Sequence, residues 1–466
     1  LRALRRQYPE AEIHLLTRPR FEAAVEGLTA IDQHLSLPSL HVLSPLVQDQ
    51  PNDQDALARM SEWVTELKEK KYDWVINLTF SPFSSYLTHA IENGEREVKV
   101  SGYTRYADGS LAFGDELSAY FYAQVGFDRQ NRVHLSDLFA SLMDVQFIEE
   151  DWAAPFIPTR DLHLPPNFIA IHVGASEAHK SVSPSFWGDT VRHLLQVLPE
   201  TSVVLIGSAA EKDLAAWVKA AVPGPRVVDM VGKTQVVELF TVLQQAQLLI
   251  GPDSAPLHMA SLTETPTLNL SLGNVNFWQT GPKASLSFIL KAEKENQLSP
   301  NKVAQMVGEL MQGNLPTELI VRAGGMTSYD TRGADPTDFQ WQLIQAIYMH
   351  GAYPMADKMS IIDGALKLAE INTFAQEQLE QVPRRGVEAV APFLARAEEI
   401  IESISRVVPE LSPLINWYQA EKVRIGPGTQ QEVLAATLNV HQNLSRHLKV
   451  YLPTDLMEEG VNDGAL

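Results

Sequence analysis

From Phe168 to Met311 the chain alternates short apolar runs with amphipathic stretches, and this rhythm restricts the fold more than any other feature. Phe168–Val173, Ser202–Ile206, Val227-Val228, Gln247–Ile250 and Thr267–Leu270 read as strands. Ser185–Leu198, Ala210–Ala221, Thr234–Ala246 (capped by Thr234) and Asn301–Met311 read as helices. Strands separated by helices of this length require a parallel sheet with right-handed crossovers. An earlier region has the same character. It has strands at Ala11–Thr17, Asp73–Leu78 and Val98–Tyr103. A helix over Asp55–Lys70 sets Leu57, Met60, Trp63, Val64 and Leu67 on one face, and another is expected over Arg132–Met143. The proline-rich stretch Asp151–Pro166 separates the two regions, which predicts two lobes with a cleft between them.

The character changes after Pro316. Val387, Val390, Leu394, Ala397, Ile401, Ile404 and Val408 recur at three and four residues, one apolar stripe along a helix. Val433, Leu434, Leu438, Leu444, Leu448 and Tyr451 suggest another. Asp338–Leu452 therefore reads as a helical bundle whose stripes serve packing, and the stripes need only one another for burial. The expected division is 1–155, 156–315 and 316–466. The start is unusual, because Leu1–Tyr8 resembles the second half of an amphipathic helix. That reading places a further strand and turn before Leu1. Arg2, Arg5 and Arg6 read as a solvated helix face, as do Arg18 and Arg20.

Composition excludes several function classes. A formal charge of −20 over 466 residues argues against a nucleic-acid partner and against broad adhesion to anionic lipid. With no cysteine, disulfides, thiolate metal sites and cysteine nucleophiles are excluded. No apolar run is long enough to span a bilayer and no signal peptide is evident, which limits membrane contact to a peripheral kind.

The candidate chemistry lies at strand ends. Ile250-Gly251-Pro252-Asp253-Ser254-Ala255-Pro256-Leu257-His258 reads as strand, tight turn and helix start, with Asp253 or Ser254 as the cap. Such a helix start suits a phosphate or diphosphate, and a residue as small as Ala255 lets a ligand approach the backbone. Gly174-Ala175-Ser176 follows the strand at Phe168–Val173, and Lys180 follows closely enough to neutralise a phosphate. Glu211 follows the next strand, where a carboxylate can accept ribose hydroxyls or simply favour the helix dipole. His258 is compatible with touching a phosphate and with packing in its helix. Together the three strand ends favour a nucleotide or nucleotide-sugar site. Gly232-Lys233-Thr234 is no P-loop, because Val227 stands where the first glycine is required. There is no G-x-G-x-x-G. Asp53 and Asp55 read as helix caps rather than metal ligands, and no metal or cofactor is expected.

These segments resemble glycosyltransferase family 9, the heptosyltransferase-like enzymes of lipopolysaccharide core synthesis. The resemblance rests on LRALRRQYPEAEIHLLTRP at the start, YDWVINL at Tyr72–Leu78 and HVGASEAHK at His172–Lys180. GSAAEKDLA at Gly207–Ala215, VVDMVGKTQVVELFTVLQQAQLLIGPDSAPLHMA at Val227–Ala260 and QTGP at Gln279–Pro282 complete it. It covers about Leu1 to Gly313. It implies a GT-B fold of two Rossmann-like lobes, here with a helical extension, and an inverting, metal-free sugar transfer, plausibly of heptose from ADP-heptose. The donor would occupy the C-terminal lobe, and a glycolipid or other glycan acceptor the N-terminal one. Lys180 would contact the diphosphate, Glu211 the ribose, and Asp253, Ser254 and Ala255 the sugar–diphosphate region. Such enzymes work in the cytoplasm, at the inner face of its membrane. The chain departs from the pattern in four ways, one of them the absence of the cysteine cluster that some relatives carry before the last helix. The acidic base would precede Leu1. Ser181-Val182-Ser183-Pro184 replaces the usual aromatic surroundings after the lysine. The extension is not part of the pattern. Two other readings keep the same site: a non-catalytic scaffold whose GT-B body binds a nucleotide sugar or a protein partner while the extension mediates assembly, with a protein partner or by self-association, and a transferase with another sugar or a protein acceptor.

Overall fold

The structure is a computed structural model that describes residues 1–92, 97–155, 157–158, 160–175, 177–284, 286–323, 330–332 and 338–452. It divides into two compact units, Leu1–Arg59 with Val133–Asp335, and Met60–Arg132 with Pro336–Leu466.

The first unit is built on an eight-stranded sheet whose strands are numbered here in chain order. They are β1 Phe168–His172, β2 Ser202–Ile206, β3 Val227–Asp229, β4 Leu249–Pro252, β5 Thr267–Leu272, β6 Leu286–Ala292, β7 Ile320–Ala323 and β8 Asp330–Arg332. Their order is β8-β7-β6-β5-β4-β1-β2-β3. The pairings among β1 to β6 are parallel, and β7 and β8 are added antiparallel. The order 3-2-1-4-5-6 is that of a Rossmann fold, with its topological switch point between β1 and β4.

The strands form because their residues are buried on both faces. Every residue of β1, β4 and β5 is buried. One face packs Ile169, Ile171, Leu205, Ile250 and Leu268 under helices Pro184–Val197 and Pro300–Met311. The other packs Phe168, Ala170, Val204 and Leu249 against Val242, Leu243 and Leu257. Such double cover is what allows continuous apolar strands in a parallel sheet. The sequence reading missed β6, whose apolar run lies beside QTGP, and the short β7 and β8.

Three local expectations are corrected. The helix read over Thr234–Ala246 runs only from Glu238 to Gln245, and Thr234 does not cap it. The Glu238 carboxylate instead accepts the Gln235 N–H at 2.8 Å and pairs with Arg160, so the preceding residues form turns. Leu57, placed on an apolar face, is 71% exposed. The N-terminal arginines are not merely solvated: Arg2 donates to the Ala153 and Ala154 carbonyls, Arg5 pairs with Asp32, and Arg6 pairs with Asp151. A carbonyl or carboxylate fixed nearby recruits a guanidinium that helical periodicity alone assigns to solvent. In the same unit His14–Thr17 pairs in parallel with Gln33–Ser36.

The second unit holds a parallel pair, Trp74–Asn77 with Lys99–Gly102, and a long-helix region. Its helices are α1 Phe339–Tyr348, α2 Met359–Arg385, α3 Val387–Val407, α4 Ser412–Ile425 and α5 Gln430–Leu448. Val390, Ala397, Ile401 and Ile404 are buried as the stripe requires, whereas Val387 is half exposed. Leu368, Ile401, Leu414, Tyr418, Leu444 and Leu448 share one core. A polar chain crosses it. His441 lies 2.7 Å from Asn372 Oδ1 and 3.2 Å from the Tyr418 hydroxyl, which donates to Glu398 at 2.6 Å. The stripes do not bury only one another. Ala420 and Val423 of α4 join Tyr103, Phe113, Ala119 and Ala123 in a further core, and Gln124 donates to the Pro413 carbonyl at 2.9 Å.

Candidate donor site at the sheet switch point

Strand β1 ends at His172, and Trp187 fixes the turn that follows by donating its indole N–H to the Val173 carbonyl at 3.1 Å. Gly174 is required there. A Cβ at this position would lie 2.5 Å from Cγ of Glu211, so the missing side chain lets Glu211 lie across the turn. Ala175 is half-buried, and Ser176 lies outside the described residues. A short 3-10 turn, Ala178–Lys180, then brings Lys180 back toward the sheet.

Strand β4 ends at Pro252, and the chain enters the six-residue helix Ala255–Ala260. Asp253 is 8% exposed. Its Oδ2 accepts from Lys180 Nζ at 3.1 Å, while its Oδ1 is buried without a hydrogen-bond partner. The Lys180 ammonium also lies 3.7 Å from the Glu177 carboxylate. Lys180 and Asp253, 73 residues apart, thus close over the switch point between β1 and β4. This is where ligands bind in open α/β sheets.

Neither Asp253 nor Ser254 caps the helix with its side chain. Ser254 is the N-cap residue by position, yet its hydroxyl donates to the Pro252 carbonyl at 2.8 Å and meets His172 Nδ1 at 2.9 Å. A hydroxyl has one proton, so with that proton on Pro252 the His172 ring donates from Nδ1. The helix N–H groups are left without the expected caps. Ala255, its first residue, is exposed and leaves the backbone approachable.

Glu211 does cap. Its Oε2 accepts from the Ser208 N–H and hydroxyl, each at 2.6 Å. The other carboxylate oxygen lies on the Gly174 side. His258 keeps accessible area. Crowding by protein lowers its pKa, the Asp253 charge opposes this and the Lys180 charge adds to it.

Sequence reasoning passed over His172. It is buried at the end of β1, and burial lowers its pKa to about 4, with the Glu211 charge opposing. The imidazole is therefore neutral at pH 7, and its Nε2 has no partner among the described residues. A polar residue closing an apolar strand was the available signal. Gln279 of QTGP was quoted only for resemblance, yet it is buried with an unpartnered Nε2. Lys283 just beyond it is 2% exposed, pairs with Asp137 at 2.5 Å and lies 5.2 Å from the Trp152 ring. Among the described residues no group of three or more histidines and carboxylates is placed to hold a metal ion, and no helix is long and apolar enough to cross a membrane.

Residues 135–307, which contain every one of these positions, match the family model "Glycosyltransferase family 9 (heptosyltransferase)". Over this segment the chain is similar to the family 9 glycosyltransferases. The Escherichia coli protein lipopolysaccharide heptosyltransferase 3 is 22% identical to the chain over 291 residues, 58% of this chain and 76% of that one. Among solved structures, E. coli ADP-heptose lipopolysaccharide heptosyltransferase II aligns at 14% identity and a TM-score of 0.45, covering 67% of this chain and 93% of that one. A family 9 glycosyltransferase from Veillonella parvula aligns at 16% and 0.47, covering 67% and 92%. The family 9 match ends before α1, so the helical region of the chain lies beyond it.

Proposed function

We propose that this chain is a family 9 glycosyltransferase that transfers a heptose from a nucleotide-activated donor to a lipopolysaccharide-type acceptor, with inversion and without a metal ion. The observation that carries this reading is the Lys180–Asp253 pair at the switch point, 3.1 Å long and partly buried. The acceptor oxygen forms a bond to the anomeric carbon while the bond from that carbon to the diphosphate breaks. The acceptor's proton passes to a base, and the electron pair leaves with the diphosphate. Lys180 balances that developing charge, assisted by the exposed backbone at Ala255, with Gly174 and Ala175 at the neighbouring strand end. Asp253 holds the ammonium in place, and its free Oδ1 suits a hydroxyl of the transferred sugar. Ser254 and His258 border the same region, and Glu211 suits a ribose hydroxyl. The E. coli relative, a lipopolysaccharide heptosyltransferase, supports this substrate class.

In this reading residues 156–315 hold the donor, 1–155 the acceptor and 316–466 form an extension. The enzyme works at the cytoplasmic face of the membrane that carries its acceptor. The test is a panel of nucleotide sugars, ADP-heptose among them, scored for nucleoside diphosphate release with and without EDTA. ADP release that EDTA leaves intact, with inverted product, is expected. Binding of ADP-heptose without release to any lipopolysaccharide-core acceptor would favour a non-catalytic scaffold. Absence of both overturns the proposal.

A further inference from the structure

Two contacts tie the end of β1 to the turn after β4, and they differ in kind. Lys180 reaches Asp253 through a charged pair, and its side chain keeps 19% of its area exposed. His172 reaches Ser254, the next residue, through a ring that is buried. The sequence explains why that ring fits. β1 and β4 run in parallel with Ile171 beside Ile250, so His172 and Gly251 come next on the two strands. A Cβ on Gly251 would lie 3.1 Å from the His172 Cβ, so the glycine gives the imidazole its room.

The imidazole Nδ1 lies 2.9 Å from the Ser254 hydroxyl, and that hydroxyl closes back on the Pro252 carbonyl at 2.8 Å. Asp253 stands between Pro252 and Ser254 as the apex of a small loop. Turning the apex breaks the bond to Pro252, the bond to His172, or both. The carbonyl can only accept, so the hydroxyl proton goes to it and His172 donates from Nδ1. A neutral ring does this as well as a charged one. Burial keeps the ring neutral, so it adds no second positive charge behind Lys180. An ammonium has three donors, and a diphosphate competes with the Asp253 carboxylate for them. The His172 bond faces no such competitor, because its acceptor is a hydroxyl of the chain itself.

We propose that His172 is a positioning residue for the donor site: through Ser254 it clasps the Asp253 turn to β1 while Lys180 shares its donors between Asp253 and a diphosphate. This rests on the donor-site reading above for the identity of the ligand. The segment from His172 to Lys180 thus grips two adjacent residues, one with a fixed neutral bond and one with a charge that the ligand draws on. Without the fixed bond, a ligand that weakens the ion pair also loosens the turn that carries Asp253 and the exposed Ala255 backbone.

The test is calorimetric titration of ADP into the full chain and its variants. His172→Leu removes the donor and keeps an apolar side chain in its place. It should weaken ADP about fivefold, the effect of losing one hydrogen bond that orders the turn. His172→Asn puts an N–H where Nδ1 stands and should recover most of that loss. In a Ser254→Ala background, where the accepting hydroxyl is gone, His172→Leu should cause no further loss. A merely structural ring would weaken both backgrounds alike, since packing costs do not depend on that hydroxyl. If His172→Leu does not fold, the ring proton carries the test. Nitrogen-resolved NMR should show His172 protonated on Nδ1 with and without ADP, and Ser254→Ala should speed exchange of that proton with water about tenfold or more. Equal losses in both backgrounds, no recovery in His172→Asn, or a ring protonated on Nε2 overturns the proposal. ADP binding that ignores His172→Leu overturns this inference alone. A wild-type chain that binds no ADP overturns the donor-site reading and this inference with it.

Discussion

Lys180 Nζ and Asp253 Oδ2 meet at 3.1 Å, although one follows β1 and the other follows β4. The contact exists because these strands are neighbours at the point where the sheet's order reverses. It puts an ammonium where a diphosphate can reach it and a carboxylate that holds the ammonium there.

Lys180→Ala should weaken nucleoside diphosphate binding about tenfold or more, since a charge-assisted contact is worth about 1.5–3 kcal/mol. Lys180 lies in a 3-10 turn, so the hydrophobic core should survive. Calorimetric titration of ADP into both proteins checks the first claim and circular dichroism the second. Equal affinities would remove Lys180 from the site.

Asp253→Asn separates positioning from charge balance. Loss of the carboxylate frees Lys180 and should lower turnover more than it lowers ADP affinity. The Lys180→Ala/Asp253→Asn double variant should be no worse than Lys180→Ala alone. Additive losses in that double-mutant cycle would mean that the residues act independently.

Acid should destabilise the fold through its buried histidines. His172 and His441 each have a pKa lowered to about 4 by burial, against about 6.5 unfolded. The unfolded chain binds more protons between these values, so the stabilisation is complete above pH 6.5 and is lost as pH falls toward 4. The loss is on the order of 3 kcal/mol for each ring. Urea midpoints at pH 7 and pH 4.5 should differ accordingly, and His441→Leu should flatten part of the slope. An unchanged midpoint would contradict neutral burial.

Breaking the Lys283–Asp137 pair should destabilise the fold by about 1.5 kcal/mol or more, because Asp137→Ala removes a charge-assisted hydrogen bond from a buried ammonium beside Phe147 and Trp152. A thermal melt of the variant checks this. A change of less than about 0.5 kcal/mol, as for a surface pair, would show that Lys283 reaches water.

Removing residues 338–466 should expose Tyr103, Phe113, Ala119 and Ala123, which lose Ala420 and Val423 as partners. Such a chain should bind a hydrophobic dye strongly and aggregate on warming. A soluble shortened chain with normal ADP binding would instead make the extension a separable module.

The sequence by itself determined the α/β rhythm, because buried parallel strands such as Phe168-Ile169-Ala170-Ile171 need apolar side chains on both faces and leave that mark in the order of residues. It also marked the turns on which the proposed site rests, since Gly174, Lys180, Glu211 and Asp253 each follow a legible strand. Tertiary structure alone decided what those residues do to one another. Side-chain geometry took Ser254 from helix cap to partner of His172, and gave Asp253 to Lys180. It made a neutral imidazole of His172, because burial removes the water that a charged ring requires. It also set α4 against Tyr103 and Phe113. A helix stripe records that it will be buried and says nothing of the surface that buries it, because apolar contact carries no address.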